Sequence, residues 1–460
     1  MRNSNLSVDF KKVIGPVRAL NGVGQPPLIG LDTEKFRYLT EANVPYSRLH
    51  DVGGWFGGNM FVDIPNIFRD FDADVNDPES YDFAFTDILI KGLVDSGCEP
   101  YYRLGVTIEN FHKIKSYRIF PPADYEKWAG ICEHIIRHYN EGWANGFHYN
   151  IKYWEIWNEP DGCPNNGEFE LLPADMNENA MWKGSREQFY DLYRVTSRHL
   201  RKCFGNSIKI GGYGSCGFYI ANSEQTVDGK AFGGSNGMSD WDKRILWFYI
   251  FFKDFIKMVT EENLPFDFFT HHSYAGVEDN IKMELLAEEE LSKAGLDNVE
   301  IHLNEWNTHN ERAHRGSSVA SANTAAMMCA MHDTKVNIMC YYDARIAAGV
   351  FGGLFNPDTA LPVSTYYSMY AYGKLRTLGS RVEVTQSGDK VYCLAATDKT
   401  GEKKAIMIAN IGEETLVKTD IKADATVRLI DREHLFTEEA IKADEFVLGE
   451  NQVAFIELDR

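Results

Sequence analysis

The sequence lacks features that mark several large classes of protein. Positive charge is scarce, since 47 Lys and Arg stand against 67 Asp and Glu and give a net charge of −20 over 460 residues. Such a chain repels phosphate backbones and anionic lipids, so we expect neither nucleic acid nor membrane partners. The longest apolar run, Ile245–Phe252, is too short to span a bilayer, and residues 1–12 contain no apolar core of a secretion signal. These absences predict a cytoplasmic protein that acts on small neutral molecules.

Metal and cofactor motifs are also missing. The 8 cysteines show no C-x-x-C spacing, and we interpret them as reduced, buried thiols. The acidic stretch Asp72–Asn76 resembles the start of a calcium loop but lacks the glycine and the terminal glutamate that such a loop needs. Neighbouring strand residues such as His271 and His272 face opposite ways and cannot share one ion. No G-x-G-x-x-G follows the first predicted strand. We therefore expect no metal and no cofactor.

Alternating strands and helices predict the fold of the larger part of the chain. Hydrophobic content of 44% and charged content of 25% are ordinary for a globular protein, and 460 residues exceed the usual size of one core. Strand, helix, strand order implies parallel strands, and about eight strands favour a closed (β/α)8 barrel (a TIM barrel) over residues 25–378. An open doubly wound sheet is the alternative. The predicted strands are one near Gly15–Leu20 or Pro27–Gly30, then Tyr46–His50, Glu99–Leu104, Ile151–Trp157, Ser207–Gly212, Phe266–His271, Val299–Leu303 and Val336–Tyr342.

After about Leu378 the pattern changes from helical to period two. Short alternating runs separated by turn residues predict an antiparallel β-sandwich domain over residues 379–460. The N-terminal segment, residues 1–24, contains a further alternating stretch at Leu6–Val13 that could add a strand to this domain. The sequence therefore predicts an α/β barrel followed by a smaller β domain.

Two of the predicted barrel strands end in a glutamate. The segment Ile151–Asp161 reads I-K-Y-W-E-I-W-N-E-P-D, and Pro160 has no N–H for the sheet, so Glu159 lies where the strand ends. The segment Glu300–Asn307 ends in the same way at Glu305. The carboxyl ends of barrel strands form the active face, so both glutamates are candidates for catalysis.

A pair of carboxylates surrounded by tryptophan and asparagine matches the needs of glycosidic cleavage. One carboxyl group protonates the leaving oxygen, while the other attacks the sugar or activates water. The rings of Trp154, Trp157 and Trp306 suit the apolar faces of sugars. Glu155 shares strand parity with Glu159 but lies roughly 13 Å deeper at 3.3 Å per residue, so we expect a buried structural role for it.

The motifs W-E-I-W-N-E-P-D around Glu159 and L-N-E-W-N around Glu305 resemble those of clan A glycoside hydrolases. Within that clan the chain, from about Arg48 to Tyr372, is similar to family 39, which includes β-xylosidases and α-L-iduronidases. The resemblance implies that Glu159 is the catalytic acid/base, Glu305 the nucleophile and Asn158 a sugar contact.

Further substrate contacts follow from the same resemblance. His50, in Arg48-Leu-His-Asp, is similar to a substrate-binding histidine after an early strand. The segment F-F-T-H-H-S-Y resembles the sixth-strand pattern of the family, which implies His272 and Tyr274 as site residues, with Tyr274 bonded to the nucleophile. Trp306 and Tyr342 complete the expected substrate-binding set. Departures from the family pattern are Asn304, Arg103 and Tyr342, which stand where Thr, an acidic residue and Trp are common.

The sequence therefore predicts a retaining, exo-acting, β-xylosidase-like enzyme that cleaves small oligosaccharides or glycosides by double displacement. The alternatives are the same chemistry on an α-L-arabinoside, β-D-glucoside or β-D-galactoside, or a carbohydrate-binding barrel without catalysis. Retention requires carboxyl groups about 5 to 5.5 Å apart, so we expect Glu159 and Glu305 to face each other at that separation. We also expect Glu159 to have the raised pKa. Self-association is left open.

Overall fold

The computed structural model describes residues 2–52, 61–108, 118–165, 168–169, 179–223, 239–308, 312–346, 351–422 and 425–458. Within these residues the strands form one closed eight-stranded barrel and one nine-stranded sheet. The strands are β1 Arg2–Pro16, β2 Ala19–Gly24, β3 Tyr46–Leu49, β4 Glu99–Leu104, β5 Tyr153–Ile156, β6 Lys209–Ser215, β7 Phe268–Ser273, β8 Glu300–Trp306, β9 Ile338–Tyr342, β10 Ser380–Ser387, β11 Val391–Thr397, β12 Lys404–Asn410, β13 Thr415–Thr419, β14 Thr426–Ile430, β15 Leu435–Glu439, β16 Glu445–Leu448 and β17 Gln452–Leu458.

Helices connect the barrel strands. The described α-helices are α1 Arg37–Glu41, α2 Ile64–Ile67, α3 Ala84–Asp95, α4 Tyr125–Asn140, α5 Arg186–Phe204, α6 Asp240–Glu261, α7 Val277–Lys293, α8 Ser318–Ala330 and α9 Ser364–Leu378. Two long ones begin at capping boxes, in which Ser185 and Gln188 cap α5 and Ser239 and Asp242 cap α6. Their apolar faces pack with the outward-facing strand residues in one large core between sheet and helices.

The strands β2 to β9 pair in parallel and in chain order, and β9 pairs with β2 to close the barrel. This arrangement confirms the predicted (β/α)8 fold and excludes the open sheet. The first barrel strand is Ala19–Gly24, which overlaps the end of the predicted stretch Gly15–Leu20 and ends before the alternative stretch Pro27–Gly30. The barrel therefore begins before residue 25, where we expected its boundary, because the chain passes from the β domain into the barrel within a few residues of Pro16.

The second unit is a curled, mostly antiparallel sheet with the order β15-β14-β17-β12-β11-β10-β1-β13-β16. Strand β1 pairs antiparallel with β10 and parallel with β13, so the N-terminal segment lies inside this sheet. Because the sheet curls, apolar residues from both of its ends, such as Leu6, Val427 and Phe446, share one core. The sheet also contacts α8 and α9 through β11 and β12, which attaches it to the barrel.

All eight cysteines are free thiols, five of them buried and three half-buried. Among the described residues, no helix is both long enough and apolar enough to cross a membrane.

Candidate active site

The two candidate catalytic glutamates lie at the carboxyl ends of their strands. Glu159 follows β5 and has a φ of 44°. Its backbone N–H donates a hydrogen bond to the carbonyl of Gly214 at 2.9 Å. This bond ties the end of β5 to the neighbouring strand β6. Glu305 is the penultimate residue of β8, and His272 of β7 is its partner in the ladder. The strand ends thus deliver Glu159, His272 and Glu305 to the same mouth of the barrel.

The three side chains meet in one cluster. Ligand atoms of Glu159, His272 and Glu305, one from each residue, all lie within 4.8 Å of one another. The Nδ1 atom of His272 is 2.7 Å from Oε1 of Glu159 and 3.7 Å from Oε2 of Glu305. The hydroxyl of Tyr274 donates to Oε1 of Glu305 at 2.5 Å. The structure therefore brings together four of the residues that the sequence singled out.

Arg48 is a site residue that the sequence reasoning missed. Its Nη1 donates to Oε2 of Glu305 at 3.1 Å, its Nη2 to Oδ1 of Asn158 at 2.5 Å and its Nε to Oε2 of Glu155 at 2.8 Å. The side chain is 1% exposed. A single rigid guanidinium thus fixes Glu305 and Asn158 relative to each other. The signal in the sequence is only partial: an arginine inside a short buried strand needs a buried partner, but the sequence does not indicate which residue that partner is.

Glu155 has the structural role that its depth in the barrel implies. Besides the Arg48 bond, its Oε1 accepts hydrogen bonds from the Thr270 hydroxyl and the Asn304 amide, both at 2.7 Å. The side chain is fully buried. Glu155 thus compensates the charge of Arg48 beneath the site and also orients Asn304.

His50 and Tyr342 lie on the Glu305 side of the site and are joined by Asp51. The Nε2 atom of His50 is 3.1 Å from Oδ1 of Asp51, and the Tyr342 hydroxyl donates to Oδ2 at 3.0 Å. The ring of Tyr342 is edge-on to that of Tyr274, with centroids 6.4 Å apart. Asp51 was not among the sequence-predicted residues, although it directly follows His50.

Trp306 does not lie with the other predicted substrate-binding residues. It is fully buried in the core between strands and helices, edge-on to Tyr341 with ring centroids 5.4 Å apart. Side chains alternate along a strand, so Glu305 pointing to the mouth sends Trp306 to the opposite side. Trp157 is likewise buried, and its indole N–H donates to the carbonyl of Met181. The expected stacking of Trp306 on a sugar was therefore wrong.

Burial shifts the pKa values of the acidic groups upwards. It raises the pKa of Glu159 to about 7, against the opposing effect of Arg48. It also raises the pKa of Glu305 above its ordinary value, although Arg48 and the Tyr274 hydroxyl oppose the increase. Burial lowers the pKa of His272 to about 4, so this imidazole is neutral at neutral pH. Glu159 is therefore the group best suited to hold a proton near neutrality.

A cavity of about 480 Å³ opens beside Glu159. Its described lining includes Glu159, His272 and Tyr274, together with residues that follow β5 and β6 and residues of α6. Glu305 is not among the lining residues. The open space therefore lies on the Glu159 side of the carboxylate pair.

Gly214, at the end of β6, forms the floor beneath the cluster. A Cβ atom there would lie 3.1 Å from Oδ1 of Asn158, 3.2 Å from Nη2 of Arg48 and 3.2 Å from Nε2 of His272. Its φ of +65° is also a conformation that favours glycine.

We expect Gly214→Ala to lower kcat/KM by at least about tenfold, because small displacements of positioning groups have large effects on rate. Gly295→Ala is the matched control, since Gly295 has a φ of +75° but nothing within 4 Å of its Cβ position. Both variants should lose about 1 kcal/mol of stability in thermal unfolding, since both strain the backbone. Equal kcat/KM in the two variants would show that the floor does not position the site.

A (β/α)8 barrel with two carboxylates facing each other at its C-terminal mouth has the architecture of a glycosidase. The model of glycosyl hydrolases family 39 matches residues 35–306, more than half of the chain. The chain belongs to this family and is a glycosidase.

Solved structures share the whole fold. A glucosidase from Croceicoccus marinus aligns with a TM-score of 0.75 at 18% identity over 100% of this chain and 99% of that chain. A GH39 β-xylosidase from Caulobacter crescentus aligns at 0.65 and 18% identity over 99% and 100%. An α-L-arabinofuranosidase from Thermotoga maritima aligns at 0.60 and 14% identity over 100% of both chains. At these identities the likeness establishes the fold alone.

Proposed function

We propose that this glycosidase retains anomeric configuration, with Glu305 as nucleophile and Glu159 as acid/base. The observation that carries the proposal is the proximity of the two side chains, since one carboxylate oxygen of Glu159 lies within 4.8 Å of one carboxylate oxygen of Glu305. A retaining enzyme needs carboxyl groups about 5 to 5.5 Å apart, whereas an inverting enzyme needs about 6.5 to 9.5 Å to admit a water.

The hydrogen bonds support these roles. Glu305 attacks the anomeric carbon while Glu159 transfers its proton to the glycosidic oxygen, and the aglycone leaves as an alcohol. Glu159 then takes a proton from water, whose oxygen attacks the same carbon and releases Glu305. Arg48 and Tyr274 hold the Glu305 carboxylate by one oxygen each, which fixes its direction of attack. We assign Asn158, whose amide oxygen accepts a hydrogen bond from Arg48, to a contact with a sugar hydroxyl.

We further propose exo action on a β-xyloside. His50 and Tyr342 are 3% and 5% exposed, whereas the cavity lined by described residues opens beside Glu159. Such a pocket accepts one terminal sugar. The β-xylosidase name of the Caulobacter crescentus neighbour favours xylose, while the glucosidase and arabinofuranosidase names keep β-D-glucosides and α-L-arabinosides as alternatives. β-D-galactosides remain in the comparison set.

A panel of 4-nitrophenyl glycosides of these sugars tests the proposal. We expect the highest kcat/KM for the β-D-xyloside, and proton NMR should show the β-anomer as the first product. A first product of α configuration would exclude retention, and a higher kcat/KM on another sugar would reassign the substrate.

The proton affinity of Glu159 predicts the alkaline limb of the pH profile. Glu159 must be protonated in the free enzyme, and its pKa is raised to about 7, so kcat/KM should fall as the pH rises through about 7. Glu305 must be ionised, so the acidic limb should follow its titration. With an alkyl glycoside in place of a 4-nitrophenyl glycoside, kcat/KM should fall further at alkaline pH, whereas the acidic limb should stay the same. An alkaline limb that is the same in Glu159→Gln would assign that limb to another group.

A further inference from the structure

The cavity beside Glu159 is where the leaving group must lie. Glu159 protonates the glycosidic oxygen under the proposed function, so the group attached to that oxygen extends beyond Glu159 and away from Glu305. The lining of the cavity contains Glu159 but not Glu305. The residues of this wall therefore select the aglycone rather than the sugar that is attacked.

The described wall is largely apolar. Helix α6 presents Trp241, Arg244 and Phe248 to the cavity, at positions i, i+3 and i+7 of one helix face. Trp241 is 51% exposed and stacks edge-on against Tyr219, with ring centroids 5.4 Å apart. Ile108, Ala180 and Met181 are further members of the lining. These surfaces suit a flat ring better than a polar chain.

The polar groups of the wall are mostly engaged within the protein. The Asn179 amide donates to the carbonyls of Pro160 and Cys163, and its oxygen accepts from the backbone N–H groups of Met181 and Trp182. The Tyr219 hydroxyl accepts from the backbone N–H of Tyr274. A second sugar would place several hydroxyls against this wall with few partners, at a cost for each unpaired group.

Arg244 is the exception. It is half-buried, and its Nη2 donates to Sγ of Cys163 at 2.9 Å. A thiol is a weak acceptor, and no carboxylate of the described residues forms an ion pair with this guanidinium. In a chain with a net charge of −20, an arginine beside a cavity that has no carboxylate partner among the described residues is positioned for an external anion.

We propose that the leaving-group site binds an aromatic aglycone that carries a carboxylate, with the ring against Trp241 and the carboxylate on Arg244. This inference rests on the proposed function and refines it, since it favours glycosides of phenolic acids over oligosaccharides. The guanidinium fork matches a carboxylate in a planar, two-bond arrangement. The substrate class is thus selected at the aglycone, on residues distinct from those that hold the sugar.

The test compares three aryl glycosides of the best sugar from the panel: phenyl, 4-carbamoylphenyl and 4-carboxyphenyl. The carbamoyl group has nearly the shape of the carboxylate but no charge. We expect kcat/KM for the carboxyphenyl glycoside to exceed that for the carbamoylphenyl glycoside by about tenfold, because hydrogen bonds to charged groups are the stronger ones. The preference should shrink at high salt. The parameter kcat/KM is the informative one, since it covers the steps in which the aglycone is still attached.

Arg244→Met should abolish the carboxylate preference, so that kcat/KM becomes about equal for the carboxyphenyl and carbamoylphenyl glycosides. Lys243→Met is the matched control, because it removes the same charge from the same helix at a residue that pairs with Asp240 at 3.2 Å and does not line the cavity. It should keep the preference. If Arg244→Met fails to fold, the comparison of the charged and neutral aryl glycosides on the unaltered enzyme still tests the inference.

Two results with the aryl glycosides would overturn the inference. One is equal kcat/KM for the charged and neutral aryl glycosides; the other is a preference that survives in Arg244→Met. If the enzyme hydrolyses none of the three glycosides, this result would instead count against the proposed function. A disaccharide hydrolysed better than the carboxyphenyl glycoside, with no effect of Arg244→Met, would assign the cavity to a second sugar.

Discussion

Replacement of Glu305 by alanine is expected to lower kcat/KM by roughly 10⁴-fold or more, since the covalent step then has no nucleophile. The fold should be retained, because Arg48 keeps its buried partner Glu155 at 2.8 Å when Glu305 is removed. The measurement is hydrolysis of an activated aryl glycoside, with circular dichroism and thermal unfolding to verify the structure.

Glu300→Gln provides the matched control for this experiment. Glu300 is the first residue of β8, at the opposite end of the barrel, where it accepts a hydrogen bond from the Tyr153 hydroxyl at 3.0 Å. The Glu300→Gln substitution should lower the stability of the protein and leave kcat/KM nearly unchanged. A 2-deoxy-2-fluoro glycosyl inactivator should label the peptide that contains Glu305. Labelling elsewhere, or substantial activity of a folded Glu305→Ala, would remove the nucleophile role from this residue.

The barrel and the position of its carboxylate pair could be predicted because their signals are local. Seven short apolar runs separated by helical patterns correspond to the strands β3 to β9. A strand that ends in a carboxylate needs no knowledge of distant contacts to be placed at the C-terminal mouth. Glu159 and Glu305 therefore followed from the sequence, as did Tyr274 through the resemblance to the family.

Arg48 and Trp306 show two kinds of failure. Arg48 acts through three partners from two other strands, and such a network is visible only when the strands are assembled. Trp306 was assigned to the sugar because of its neighbours in sequence, although strand alternation already implied that it faces away from Glu305. Prediction of Arg48 as a site residue requires the tertiary structure, whereas the orientation of Trp306 follows from strand alternation alone.

Local sequence patterns also did not predict all of the β domain or the cavity wall. Two short strands, Leu435–Glu439 and Glu445–Leu448, have the sequences L-F-T-E-E and E-F-V-L, in which polar and apolar residues do not alternate. The cavity wall joins Ile108, Tyr219 and α6, which are far apart in the chain and carry no shared motif. The proposed leaving-group site is therefore built from segments that connect the strands, whereas the carboxylate pair lies at the strand ends.

Glu159→Ala should have an effect that depends on the leaving group. With an alkyl or sugar aglycone the loss of protonation should lower kcat/KM by about 10² to 10⁴-fold. With a 2,4-dinitrophenyl glycoside, which leaves without a proton, kcat/KM should change little. The parameter kcat should still fall, because water is no longer activated in the second step and the glycosyl-enzyme accumulates. A series of aryl glycosides of increasing leaving-group pKa measures this dependence.

Azide distinguishes the acid/base from other glutamates near the site. Removal of the Glu159 side chain takes away a partly exposed carboxylate, 22% exposed, and leaves space for a small anion on that face of the sugar. Azide needs no general base, so it should restore kcat and yield a β-glycosyl azide from a β-glycoside, because it enters from the face that the aglycone left. Glu155→Gln is the contrasting variant, since Glu155 lies on the same strand but is buried against Arg48. Its activity loss should be similar for all leaving groups and insensitive to azide. If Glu159→Ala instead behaves in that way, the proton must come from another group, and the raised pKa of Glu159 would reflect burial alone.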